Sequence, residues 1–293
     1  MTRLASVLVG CVAGLTLLSA EQTFRSGVAL VTMSVAVRQN DSPVRGLVAS
    51  DFEVTDNSIE QKVELTPMGA MPVDITLLVD TSGSMDGTLD RLRGHLRNMS
   101  AQIRHDDRIR VLTVADDVRE VFGFRVGGSA PPVEALTAGG WTSLYDALSL
   151  AFIHHPTVDR GHVIVTFSDG IDSSSTIDLA TLGELAKRSD AVLYMFVMVP
   201  RPLSFSRRAL PSRERPPMPA VAGIGTITGG ATRFIEDADD IPSSFRDALD
   251  EFRHRYVLRY PVPAWAPGRW HDVKVAVKRS GNFEVRARQG YVE

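Results

Sequence analysis

One stretch constrains this chain more than any other: residues 73–85, Val73-Asp74-Ile75-Thr76-Leu77-Leu78-Val79-Asp80-Thr81-Ser82-Gly83-Ser84-Met85. An apolar, β-branched run of this kind reads as a strand buried on both faces, as in a parallel sheet covered by helices. The run stops at a carboxylate, which places Asp80 at the strand's carboxyl end, where open α/β sheets hold their ligands. The Asp-x-Ser-x-Ser that follows offers one carboxylate and two neutral oxygens to a hard cation, and Gly83 permits the tight turn between them.

Around this stretch the pattern changes twice. Residues 28–37, 44–48, 51–57 and 61–65 read as short strands, and the alternation of Phe52 and Val54, then Val63 and Leu65, implies one buried face and one wet face. Beyond residue 72 strands and helices alternate. Leu89, Leu92, Leu96, Met99 and Ile103 recur at helical spacing, followed by strands at 108–114 and 118–124 and a helix at 143–155. A strand at 161–167 runs into Ser168-Asp169-Gly170. A helix around 179–186 and a strand at 191–199 come next, then a helix at 220–228, a strand at 231–235 and a helix that tolerates Pro242 in its first turn. Strand patterns return at 256–260, 271–277 and 283–288. The expected fold is α/β: a doubly wound, mostly parallel sheet flanked by helices. It is inserted in a small antiparallel β-sandwich made from the N- and C-terminal segments. The expected divisions are a signal peptide at 1–20, sandwich segments at 21–71 and 254–293, and the α/β domain at 72–253.

Residues 4–20 carry no charge, Arg3 precedes them, and Leu18-Ser19-Ala20 resembles a small-residue cleavage site. This is the pattern of a secretory signal and predicts a periplasmic or extracellular protein. An uncleaved anchor, or a lipoprotein signal at Leu8-Val9-Gly10-Cys11, ranks below it. Cys11 is the chain's one cysteine, so the exported chain would hold together without disulfides. A net charge of −3 gives no reason to expect nucleic-acid binding, and no later stretch reads as a membrane span. Residues 200–219, with six prolines and five arginines, read as an exposed insertion.

Three separated segments place oxygen ligands at one sheet edge: Asp80, Ser82 and Ser84 after the first buried strand, Thr142 after Gly139-Gly140-Trp141, and Asp169 after a later strand. Any one of them alone reads as a helix or turn cap. Together, two carboxylates and three hydroxyls form an oxygen-only set of low charge that suits magnesium or manganese.

These residues carry a resemblance. The Asp-Thr-Ser-Gly-Ser at 80–84, the threonine at 142 and the aspartate at 169 resemble the metal-ion-dependent adhesion site of von Willebrand factor type A domains, over roughly residues 72–253. Asp51-Phe52-Glu53-Val54, Gly140 to Leu148 and Arg286 to Tyr291 are similar to a bacterial branch typified by acidobacterial proteins. The resemblance implies that Ser82, Ser84 and Thr142 contact the metal through hydroxyls and that Asp80 and Asp169 hold its shell directly or through water. An Asp or Glu of a partner protein would complete the shell. The implied function is a non-enzymatic binding module, monomeric or weakly oligomeric. Alternatives are an envelope scaffold with a stabilising or vestigial metal site, and, further off, a hydrolase. Against a hydrolase, the chain has no Gly-x-Ser-x-Gly elbow and no His-Glu-x-x-His, and position 82 holds a serine where an aspartate-based phosphatase needs an acid. Asp116-Asp117 reads as a solvated turn.

Overall fold

The computed structural model describes residues 30–40, 42–99, 102–129, 136–153, 159–199, 218–262 and 269–292. The expected signal at 1–20 and almost all of the Pro/Arg-rich insertion lie outside the described residues.

The chain opens with five short strands: β1 (Leu30–Gln39), β2 (Ser42–Pro43), β3 (Phe52–Asp56), β4 (Ile59–Glu60) and β5 (Glu64–Pro67). The α/β region follows as β6 (Val73–Asp80), α1 (Asp86–Met99), β7 (Arg108–Val114), β8 (Val118–Val126), α2 (Leu144–Ile153), β9 (Gly161–Ser168), α3 (Leu179–Arg188), β10 (Val192–Met198), α4 (Ala222–Ile227), β11 (Ala231–Ile235) and α5 (Ile241–Arg253). The chain then forms β12 (Tyr256–Pro261), β13 (Trp270–Val277), β14 (Glu284–Arg286) and β15 (Gly290–Val292).

The central sheet runs β11-β10-β9-β6-β7-β8. Its pairs are parallel except for β8, which returns antiparallel along β7. Every residue of β6 and of β9 is buried, as expected of strands covered on both sides. On one face Val73, Ile75, Leu77 and Val79 pack with α1 and α5 through Leu89, Leu92, Phe245 and Phe252. On the other face Leu78 and Ile164 pack with α2 and α3 through Leu144, Leu148 and Leu182. Each of these apolar side chains contributes about 1.5–3 kcal/mol by leaving water. The chain passes from β6 outward to β7 and β8, then crosses back to β9 on the other side of β6. The strand order therefore reverses between β6 and β9, which opens a crevice at their carboxyl ends.

The terminal strands form two antiparallel sheets, β14-β1-β12-β5 with β2, and β15-β13-β3-β4. Each mixes N- and C-terminal segments, and their inner faces share one core of Val31, Met33, Val54, Leu258, Tyr260 and Val273. A buried polar cluster fixes this core. Asp56 accepts hydrogen bonds from the hydroxyls of Tyr260 (3.0 Å) and Tyr291 (2.8 Å) and lies 2.8 Å from His271 Nδ1.

A second buried cluster joins the two units. Arg255 is 1% exposed and donates to Ser34 Oγ (2.7 Å) and to the carbonyls of Ser34, Gly229 and Arg286. Glu251 on α5 accepts from Arg38 (2.7 Å), Arg286 (2.6 Å) and the Tyr194 hydroxyl (2.7 Å). Burial pushes the Glu251 carboxyl up, but Arg286, Tyr194 and Arg255 outweigh it and hold the group below the usual range.

The fold departs locally from the sequence expectations. Residues 44–48 are not a strand: Asn40 and Gly46 take positive φ, and the chain pairs only at Ser42–Pro43 before turning away. The strand expected at 61–65 begins at Glu64 and runs on to Pro67, because Arg259 to Tyr256 of β12 pair with Glu64 to Pro67. The closing strand β15 was not expected; Gly290 allows its approach to β13, since a Cβ there would overlap the His271 carbonyl.

Candidate metal centre

The five residues singled out by sequence all lie at the carboxyl edge of the central sheet, around the β6/β9 crevice. Asp80 ends β6 and is fully buried. Its Oδ1 accepts from the Ser82 amide (2.9 Å) and its Oδ2 from the Ser168 hydroxyl (2.5 Å). Ser82 is buried, Ser84 is exposed, and their hydroxyl oxygens lie 3.1 Å apart. A short turn at Gly83–Met85 sets this spacing before α1 begins at Asp86.

Asp169 follows the last residue of β9 and is largely buried, with Oδ1 accepting from the Ile171 amide at 2.9 Å. Gly170 takes φ +80°, which turns the chain sharply away from the strand end. Burial pushes the Asp80 carboxyl up, hydrogen bonds from Ser168 and Ser82 oppose that, and the charge of Asp169 adds to the upward push. Among the described residues neither carboxylate forms an ion pair.

Thr142 is buried and reaches the same edge by a different route. The Gly139-Gly140 segment docks on the β6 loop, with Gly139 donating to the Thr81 carbonyl (2.9 Å) and Gly83 donating to the Gly140 carbonyl (3.1 Å). On its other side the Thr142 amide donates to Ser173 Oγ (2.9 Å), and its carbonyl accepts from the Ser173 and Ser174 amides. Thr142 is thus clamped by backbone between the segments that follow β6 and β9. Its hydroxyl makes no hydrogen bond to the other four side chains among the described residues.

Three supporting residues escaped the sequence reading. Asp116 stays exposed, as a solvated turn would, but it also accepts from the Trp141 amide (2.7 Å) and so holds the segment carrying Thr142. Ser168 orients Asp80, and Ser173 orients Thr142. The Ser168-Asp169 pair at the end of a buried strand was a visible signal for the first of these. Asp116 and Ser173 had none, because each works on a loop far from it in sequence. Two large apolar side chains stand exposed beside the ligand positions: Trp141, 70% exposed, precedes Thr142, and Ile171, 61% exposed, lies two residues beyond Asp169.

Among the described residues no group of three or more His, Cys, Asp or Glu side chains is placed to hold a metal. The carboxyl-edge set has only two carboxylates and draws its other oxygens from hydroxyls. Its chemistry fits a hard cation: every donor is oxygen, and the two acids share a buried edge without a counter-charge.

No curated protein matches the chain. Among solved structures it is similar to a von Willebrand factor type A protein from Catenulispora acidiphila, with 14% identity and TM-score 0.49, covering 92% of this chain and 75% of that one. It is similar to the ArnB paralog VWA2 from Sulfolobus acidocaldarius, with 9% identity and TM-score 0.46, covering 89% and 75%. It is also similar to proximal thread matrix protein 1 from the mussel byssus, solved with a zinc-occupied MIDAS motif, with 13% identity and TM-score 0.49, covering 67% of this chain and 49% of that one. The family model of the von Willebrand factor type A domain matches residues 75–171, a span that includes all five carboxyl-edge positions.

Proposed function

We propose that the carboxyl edge binds a divalent cation, magnesium or manganese, and through it a carboxylate of a partner protein. The observation that carries the reading is the pair of buried acids, Asp80 and Asp169, brought to one sheet edge with neither in an ion pair among the described residues. A divalent ion would supply the counter-charge. The hydroxyls of Ser82, Ser84 and Thr142 would contact it, while Asp80 and Asp169 would hold its shell directly or through water. With neutral oxygens making most contacts, the bound ion stays electrophilic, which is the chemistry an incoming Asp or Glu requires. Trp141 and Ile171 then give the partner an apolar footing beside its acid.

No nucleophile and base are paired among the five residues, so we read the protein as a binding module and not as an enzyme. The N-terminal sequence supports export to the periplasm or beyond. No helix among the described residues is long and apolar enough to cross a membrane.

Magnesium or manganese titrated into the protein and into Asp80→Ala tests the site. The wild type should bind one ion, with the variant at least tenfold weaker. Equal binding by the two proteins, or none by the wild type, would sink the assignment. A chelator-sensitive pull-down then tests the partner: a partner retained equally in chelator would mean that the metal stabilises the fold and plays no part in capture.

A further inference from the structure

We propose that the cleft between the α/β unit and the terminal sheets is a second binding site, which takes an amphipathic anion: a carboxylate or phosphate group carried on an apolar body. The cleft has a volume of about 420 Å³, within the range of small-molecule sites. It opens at the amino edge of the central sheet, beside Gly161 at the start of β9, and β1 and β12 form its opposite wall. Strand β6 separates that edge from Asp80 by seven residue steps, roughly 23 Å at strand rise. The cleft is therefore physically distinct from the candidate metal centre.

Its lining is rich in cations. Arg160, Arg188, Arg259 and Arg288 line the cleft, and among the described residues Asp190 is its only carboxylate. Arg160 has a partner in Asp74 (2.5 Å), although Asp74 is shared with Arg108, and Arg188 lies near Glu184 on the surface. Arg259 and Arg288 are different. Both are half-buried, and among the described residues neither makes a hydrogen bond or a close ion pair. The Arg288 Nε is buried without an acceptor, and its guanidinium stacks 5.5 Å from the Tyr291 ring. Burial pushes that guanidinium down, and Asp190, Tyr260 and Tyr291 oppose it only in part. A desolvated guanidinium with unused donors is costly until an oxyanion meets it, and its fork matches carboxylate and phosphate oxygens.

Apolar surface stands beside the arginines at the exposed Leu30 and the half-buried Met71, and Thr32, Ser34, His162 and Ser189 line the cleft as well. An inorganic ion alone would leave that surface wet. A ligand with a hydrocarbon body would cover it, at about 0.8 kcal/mol per buried methylene.

Octanoate, octyl phosphate and inorganic phosphate titrated calorimetrically into the full-length protein test the proposal. A chelator is kept present so that the carboxyl edge holds no metal. Saturable one-site binding is expected for octanoate or octyl phosphate, and the stronger of the two identifies the head group. Inorganic phosphate should bind at least tenfold more weakly. Arg259→Gln and Arg288→Gln should each weaken binding about tenfold or more, Arg259→Lys should recover part of it, and Asp80→Ala should bind like the wild type. If Arg288→Gln fails to fold, the Arg259 variants decide. The proposal is overturned if neither amphiphile saturates, if Arg259→Gln binds as tightly as the wild type, if Asp80→Ala loses binding, or if inorganic phosphate matches octyl phosphate.

Discussion

Gly140→Ala, taken together with Asp116→Ala, tests how the segment carrying Thr142 is held. Gly140 sits at φ +77°, and a Cβ built on it overlaps the Asp116 carboxylate. An alanine at this φ costs about 1 kcal/mol. The overlap itself need not persist, because Asp116 is exposed and can rotate away. Rotation, however, breaks its 2.7 Å bond from the Trp141 amide, and hydrogen bonds to a charged group are worth about 1.5–3 kcal/mol, here taken as about 2. Gly140→Ala should thus destabilise by about 3 kcal/mol and Asp116→Ala by about 2, since alanine at 116 removes the same bond without strain. In the double variant the bond is already gone and no carboxylate remains to displace. Its cost should therefore stay near 3 kcal/mol, leaving a coupling of about 2 kcal/mol between the sites. Urea unfolding of the four proteins, with slopes checked for equality, measures this. A double variant that loses about 5 kcal/mol would show the two costs to be independent, and the claim that Asp116 holds this loop would be wrong.

Other perturbations probe the joint between the units and the proposed partner surface. Glu251→Gln leaves Arg38, Arg286 and the buried Arg255 without their shared anion, and should cost about 3–5 kcal/mol, seen as a melting temperature lower by roughly 10 °C. The Glu251 carboxyl is held below its unfolded value, so its stabilisation is present above the unfolded pKa and is lost as pH falls through the folded one. Urea midpoints measured from pH 7 down to pH 3 should accordingly fall more steeply for the wild type than for Glu251→Gln, and parallel curves would refute that reading. Trp141→Ala should leave magnesium affinity within about twofold and reduce metal-dependent partner capture about tenfold or more; a loss of metal affinity of the same size would place Trp141 in the metal site instead.

The central sheet was legible because its signal is local. Eight residues of β6 and eight of β9 have no exposed position, and a strand without a wet face can only be covered on both sides. The amphipathic stripe Leu89, Leu92, Leu96 and Met99 likewise falls within α1 on the face toward the sheet. The terminal strands were less legible because their register depends on partners from the opposite end of the chain, 189 residues away or more. β1 pairs with β12 and with β14, and nothing in residues 44–65 tells where β12 will lie. Among the described residues only Gln61 of the run Gln61 to Val63 bonds to a neighbouring strand, its amide donating to the Val54 carbonyl, so a run with the composition of a strand is not one.

The same division explains what was legible at the two ends of the sheet. At the carboxyl edge Asp80 ends a buried strand, Asp169 directly follows another and Thr142 comes just after a glycine pair, so chain order brings these three candidate positions to one crevice once strand order reverses between β6 and β9. The residues that aim them, Asp116 and Ser173, act on backbone far from themselves in sequence, and only the folded chain reveals them. At the amino edge no motif exists to read. Arg160 ends a loop, Arg259 lies within a strand and Arg288 follows another, and each alone has the sequence context of a surface arginine. They line one cleft only because the terminal segments close on the α/β unit through Arg255 and Glu251. The joint and the cleft are therefore coupled. A perturbation that loosens the Glu251 cluster should weaken an anion bound between Arg259 and Arg288, and leave magnesium at Asp80 unaffected.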